Sequence, residues 1–367
     1  MGLCLAGHDP VLPESGLSNG SGQNATSAFL CPRSSGLATR SPNGYLLMDS
    51  LVAAVLIERS LGFVRRQSVE RRELGRTGMQ VSVLGFGGSE IGYEGVSASI
   101  VKRMLNGALD AGLNVIDTAE CYENSEELIG QAVAARRKEY YLFTKCGHPE
   151  GWGRGDWRAS SLLKCIERSL RRLQTDYVDL IQLHSCSEAE LRKGEAVEAL
   201  ERARGRGYAR HIGYSGDGRA AIYAVECGRF DTLQTSINLA DQEALELTLP
   251  LARERNVGVI AKRPLANVAW KSGSRRPTDS YAYLYWERLR ELKYDFLIGE
   301  LQDTVAIALR FTLSVPGVHT AIVGTTKPER IQANAAVLDA GPLPKELFDN
   351  IRARWREVAD RMWVGDT

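Results

Sequence analysis

From about residue 72 onward the chain alternates between short apolar runs and longer stretches with helical spacing. The apolar runs are VSVLGFG, LNVIDT, YYLFTK, VDLIQLH, HIGYSG, TLQTSIN, VGVIAKRP and HTAIVGT, eight in all, each of strand length. Amphipathic periodicity predicts helices over 97–111, 124–137, 159–173, 188–205, 218–227, 243–255, 301–314 and 328–338. Strands that are apolar at nearly every position suit parallel strands buried on both faces. Eight such units in roughly 265 residues fit a closed (β/α)8 barrel of the TIM type. The rival is an open doubly wound sheet that binds a nucleotide. That fold expects G-x-G-x-x-G after its first strand, and in GFGGSEIG the third glycine is replaced by Glu90.

Three additions frame the barrel. RRELGRTGMQVSVLGFGG reads as a β-hairpin turning at Gly75 and Gly78. Residues 266–300 form an insertion, with one helix, before the last helix–strand unit. Residues 344–362 predict a closing helix, with Leu347, Ile351, Trp355 and Val358 at helical spacing.

Residues 1–46 are different in kind: seven Gly, seven Ser and four Pro, with no apolar period, cannot supply a packed core. The run LVAAVLI at 51–57 is too short to span a bilayer. MGLCLAGHDP lacks the basic start of a secretory signal and the Ser or Thr of a myristoylation site. Residues 1–68 are therefore expected to be a disordered leader with a short helix, and 69–367 a single barrel domain. Met48 is an alternative start; a transit peptide, suggested by the absence of lysine and scarcity of acids before residue 60, is the other reading.

A net charge of +1 argues against a nucleic-acid or membrane-surface role. Seven scattered cysteines with no C-x-x-C pair read as reduced thiols, consistent with a cytoplasmic protein.

Active-site residues of such a barrel sit at the carboxyl ends of its strands. The second strand ends in Asp117, with Tyr122 in the following loop; the third ends in Lys145 and the fourth in His184. Taken singly, each has an ordinary explanation: a solvated lysine, a structural histidine, a packed tyrosine. Together they suit carbonyl reduction, which needs a proton donor for the developing alkoxide. A phenol has an ordinary pKa of about 10. A nearby ammonium lowers it, an aspartate holds the lysine, and a histidine N–H polarises the carbonyl. The ligand count argues against zinc, since His184 and Cys186 make two where three must converge.

The last strand turns into its helix through VGTTKPER. The free N–H groups of Gly324, Thr325 and Thr326 and the helix dipole favour an anion there, with Lys327 and Arg330 adding charge. An ordinary helix start, with Pro328 in the first turn, is the bland reading of the same residues.

RELGRTGMQVSVLGFGG, GLNVIDTAECYENSEELIG, LFTKCG, DLIQLH and ALRFTLSVPGVHTAIVGTTKPERIQAN together resemble the aldo-keto reductase family over about residues 72–340. The resemblance implies a catalytic tetrad at Asp117, Tyr122, Lys145 and His184. It implies a nicotinamide cofactor, NADPH, extended across the barrel mouth. Its contacts fall on Gly88, on Ser215 and Gln234 at the carboxamide, and on Arg263, Pro264 and Leu265 after the seventh strand. They end on Gly324, Thr325, Thr326, Lys327, Arg330 and Asn334 at the phosphates. The sequence departs from the pattern in several places. Gly216 replaces the usual Asn after Ser215, and Lys262–Arg263 stand where a stacking tyrosine is common. Gly324 replaces a lysine found in some members, and Ala333 an acid.

Trp152 and Trp157 on the glycine-rich loop 146–157 either line an apolar pocket or pin the loop. Because the chain ends in a helix soon after the cofactor motif, no long C-terminal loop is expected over the site, and hence no steroid pocket. The expected function is NADPH-dependent reduction of a small aldehyde or ketone by a monomer or small homo-oligomer. The alternatives are oxidation of an alcohol or sugar by the same tetrad, or a cofactor-binding regulatory subunit with little turnover.

Overall fold

The computed structural model describes residues 69–278 and 280–365. The expectations for 1–68 lie outside the described residues. Strands β1 (Arg71–Glu73) and β2 (Gln80–Ser82) pair antiparallel as a hairpin. Then follow β3 (Leu84–Gly87), β4 (Val115–Asp117), β5 (Tyr141–Cys146), β6 (Val178–His184), β7 (Ala209–Ser215), β8 (Thr232–Ser236), β9 (Gly258–Lys262) and β10 (Thr320–Gly324). These eight form a closed parallel barrel in chain order, with β10 pairing both β3 and β9. The run VSVLGFG divides at Val83, its first half completing the hairpin and its second half opening the barrel.

The hairpin has a packing task. Leu74, Met79 and Val81 join Val115, Phe143, Leu180 and Ile260 in an apolar cluster separate from the main core. These are inward residues near the starts of β4, β5, β6 and β9, so the hairpin plugs the amino-terminal end of the barrel. The fit is close. A Cβ on Gly75 would lie 2.2 Å from the backbone nitrogen of Gly258, and Gly75 has φ +52°. Only glycine turns the chain there without displacing β9.

The helices pack around the strands, burying their apolar faces in one continuous core. Three predicted helices are broken. The 124–137 stretch is α-helical only over Ser125–Val133 and tightens into a 3-10 turn over Ala134–Glu139. The 188–205 stretch splits into Glu188–Lys193 and Glu195–Gly205 at Gly194, which adopts φ +83°. The 243–255 stretch splits at Thr248, because Pro250 in the first turn of Leu249–Glu254 has no N–H to continue the ladder. The insertion contributes the helix Ser280–Leu292. The closing helix, Lys345–Val358, stops short of the predicted end at 362. Among the described residues no helix is long and apolar enough to cross a membrane.

Leu74 is fully buried in the barrel floor. Leu74→Ala should therefore cost about 2–5 kcal/mol of stability, read as a lower urea midpoint at unchanged slope. Turnover per folded molecule should hold, because the plug lies at the opposite end from the strand carboxyl termini. A loss below about 1 kcal/mol would show that the hairpin is not part of the core.

Candidate active site

The polar residues the sequence places at strand ends meet inside the barrel. Asp117, the last residue of β4, and Lys145, near the end of β5, are both buried, and Nζ donates to Asp117 Oδ2 at 2.5 Å. The ammonium also donates to the Thr118 carbonyl at 2.7 Å. Asp117 Oδ1 accepts from Gln234 Nε2 at 3.1 Å and from Gln182 Nε2 at 3.4 Å. Burial pushes the Asp117 carboxyl upward, while the Lys145 charge and these hydrogen bonds pull it back.

Tyr122 is half-buried above this pair, with Lys145 Nζ 5.2 Å from its ring centroid. His184, closing β6, meets the Tyr122 ring edge-on at 5.6 Å. Burial, followed by the charges of Lys145, His148, Lys262 and Arg263, holds the imidazole well below its usual 6.5. His184 is thus neutral at pH 7, a donor at one nitrogen and an acceptor at the other. The residues after Tyr122 and His184, Glu123 and Ser185, adopt φ +44° and +61°. Such conformations cost free energy in non-glycine residues and cluster where a side chain must be aimed.

Burial, then the Asp117 charge, holds the Tyr122 phenol well above its ordinary value of 10.0, with Arg263 opposing the rise.

The cofactor candidates separate into groups. Ser215 Oγ is buried with no hydrogen-bond partner among the described residues, an open polar group of the kind a carboxamide satisfies. Gln234 instead gives its amide N–H to Asp117. The Gly88 N–H donates to the Asp117 carbonyl at 2.8 Å, and a Cβ on Gly88 would approach that oxygen to 3.0 Å. Its place in the fold is thus to join β3 to β4. Arg263 has φ +54° and donates to the Tyr281 hydroxyl at 2.6 Å and to Ser236 Oγ at 3.2 Å. Pro264 is buried and its carbonyl accepts from Thr312, while Leu265 begins the turn beyond. Thr325, Thr326 and Lys327 lead into the helix Pro328–Ala336, where Lys327 and Arg330 are exposed and Asn334 is half-buried. Together, Ser215 and this exposed cationic helix start fit the two ends of a dinucleotide.

Both glycine departures have steric reasons. A Cβ at residue 216 would lie 2.4 Å from the Tyr214 hydroxyl, which donates to the Cys186 carbonyl. A Cβ at residue 324 would overlap the Glu90 carboxylate, which lies against that glycine. Lys262, which stands where a stacking tyrosine is common, pairs with Asp217 Oδ2 at 2.8 Å. Asp217 also accepts from Thr235 Oγ1 at 2.6 Å and the Ser236 N–H at 2.7 Å.

Around Tyr122 stands an aromatic rim. Tyr93 meets it at 5.8 Å and Trp152 lies 4.8 Å from His184, each about half exposed. The second loop tryptophan pins its own loop: Trp157 fills the space beside Gly147 and Gly155. The C-terminal tail also returns to this end, correcting the expectation that the chain finishes in a helix. The Val364 carbonyl accepts from Arg288 at 2.7 Å, and Gly365 packs against Asp217. Tyr93, Asp217 and Tyr281 were not singled out from sequence, and Glu90 was named only as a break in the dinucleotide-binding pattern.

The model of the Aldo/keto reductase family matches residues 83–356. An uncharacterized oxidoreductase of Bacillus subtilis (strain 168), YqkF, is 28% identical over 79% of this chain and 97% of its own. L-galactose dehydrogenase of Arabidopsis thaliana is 27% identical over 80% and 97%. Among solved structures, the holo form of an aldo-keto reductase from Bacillus halodurans superposes with a TM-score of 0.67 at 27% identity. It covers 80% of this chain and 99% of that one.

Lys145→Met leaves the Asp117 carboxyl buried without its cation, and should cost about 3–5 kcal/mol. That carboxyl then titrates above its unfolded value of about 3.9. The folded state binds the extra proton, so the loss deepens as pH rises from about 4. Adding Asp117→Asn should recover part of the stability and flatten the pH dependence. Equal unfolding free energies for the single and double variants would show that the pair is not the source.

Proposed function

The chain belongs to the aldo/keto reductase family, and from that premise we propose that it reduces an aldehyde or ketone with NADPH, Tyr122 donating the proton. The observation that carries this reading is the Lys145–Asp117 pair beneath the Tyr122 ring, with neutral His184 against its edge. The bound nicotinamide supplies the hydride. The protein's part is to place the carbonyl oxygen between the Tyr122 hydroxyl and a His184 N–H. As negative charge develops on that oxygen, the histidine hydrogen bond stabilises it and the phenol proton moves to it. The aromatic rim of Tyr93 and Trp152 excludes water from one side and favours substrates with an apolar face.

Oxidation of a sugar, the activity in the name of the Arabidopsis relative, would run the same steps in reverse with Tyr122 as the base, so the tetrad does not by itself set the direction. Oxidation of NADPH, followed with a panel of aldehydes, ketones and quinones, tests the assignment. Tight cofactor binding with no carbonyl turned over would favour a sensing role.

Tyr122→Phe keeps the ring and removes the donor. Turnover should fall at least about 100-fold with cofactor affinity unchanged; retention of more than about a tenth of the rate would sink Tyr122 as the acid. Arg330, exposed in the first turn of its helix, is assigned to the adenosine 2′-phosphate. A hydrogen bond to a charged group contributes about 1.5–3 kcal/mol, so Arg330→Ala should weaken NADPH about 10- to 100-fold and NADH little. Fluorescence titration with both cofactors decides it, and equal losses would make Arg330 structural.

A further inference from the structure

We propose that Cys121 is a positioning residue whose thiol hydrogen, donated to Nδ1 of His184, holds that ring in the tautomer carrying its proton on Nε2. The inference rests on the reductive reading above, which requires His184 to present an N–H to the carbonyl oxygen.

Cys121 precedes Tyr122 in the loop after β4, and its Sγ lies 3.4 Å from His184 Nδ1 in a buried contact. The Tyr93 hydroxyl donates to the cysteine carbonyl at 3.0 Å, which anchors the backbone of this loop. The other neighbours of the imidazole are rings: Tyr122 at 5.6 Å, Trp152 at 4.8 Å and His148 at 5.6 Å. His148 Nε2 bonds the His184 backbone carbonyl at 2.8 Å, not its ring. Lys145 Nζ is engaged by Asp117 and Thr118. Among the described residues, the thiol is the one group recorded in hydrogen-bond range of Nδ1.

The polarity of that contact decides the tautomer. Burial pushes the thiol up to about 12 and holds the imidazole well below 6.5, so both partners are neutral at pH 7 and share two hydrogens. A thiol sulfur is a weak acceptor, while a bare imidazole nitrogen is a good one. S–H···Nδ1 is therefore favoured over Nδ1–H···S. The usual arrangement, in which Nδ1–H donates to a carbonyl or carboxylate, would leave a lone pair on Nε2. That pair would repel a carbonyl oxygen. A donor at Nδ1 leaves Nε2–H, the group that can polarise one. Consecutive residues thus supply both polar demands of the site, Tyr122 the proton and Cys121 the tautomer of its companion.

The test is 15N NMR of the full chain with labelled histidine at pH 7, the His184 signal being assigned by its loss in His184→Gln. Nitrogens with and without a proton are well separated in shift. The wild type should show one neutral tautomer with Nε2 protonated. Cys121→Ala, and Cys121→Val, which keeps the volume without the donor, should give a mixture or the Nδ1–H form. Cys121→Ser, whose hydroxyl donates from the same place, should restore the original pattern. In the same variants kcat should fall about two- to tenfold for Ala and Val and recover for Ser, with cofactor affinity and melting temperature unchanged. A wild-type spectrum with Nδ1 protonated, or an unaltered tautomer in the Ala and Val variants, overturns the proposal. The spectrum needs no substrate. Failure to turn over any carbonyl therefore defeats the reductive reading alone, and an unchanged tautomer defeats the role of Cys121 alone.

Discussion

Lys145 carries a full charge into the middle of a barrel at 2% exposure, and its neutraliser, Asp117, sits 2.5 Å away at equal depth. Removing two ions from water costs several kcal/mol each, and their attraction offsets this only when the remaining donors and acceptors are also satisfied. Here they are, through Thr118, Gln182 and Gln234. That requirement dictates the inward residues near the ends of β4, β5, β6 and β8. Below them the barrel interior is apolar, with Val115, Phe143, Leu180 and Ile260 sealed by the hairpin. The ion pair therefore divides the barrel into a floor that confers stability and a mouth that carries polar chemistry.

At the mouth, space is contested by side chains from distant parts of the chain. Tyr214 occupies the room that a side chain at 216 would need, and Glu90 the room beside Gly324. At both glycines the room for a larger side chain is taken by a neighbouring side chain. Lys262 follows the same logic: its charge is matched by Asp217, which also ties the turn after β7 to the end of β8. On the proposed reading, the exposed Lys327 and Arg330 meet cofactor anions.

The eight barrel strands were legible because parallel strands covered on both faces are apolar almost throughout, and a polar residue ending such a run stands out. Asp117, Lys145 and His184 were visible for that reason, and Tyr122 through its neighbourhood. Helix breaks at Gly194 and Thr248 were less legible, since apolar spacing continues across both. The roles of Asp217, Glu90 and Tyr281 were hidden for a different reason. Each acquires its meaning from a partner far along the chain, Lys262, Gly324 and Arg263 respectively, and no local pattern announces such a meeting.

A phenol acidified by a free ammonium would part with its proton readily. Tyr122 stands over a lysine held by Asp117, and desolvation pushes its phenol upward. On the proposed reading it yields the proton only to an oxygen that has become strongly basic, which happens as hydride reaches the carbonyl carbon. Proton transfer is then tied to hydride transfer by the weakness of the acid rather than by its strength. The Lys145–Asp117 pair contributes position and a local dipole, and the neutral His184 contributes a hydrogen bond that strengthens as the oxygen gains charge. A protonated His184 would have been the stronger donor. Burial beside Lys145, Lys262 and Arg263 excludes that form, so the site relies on a correctly turned neutral ring.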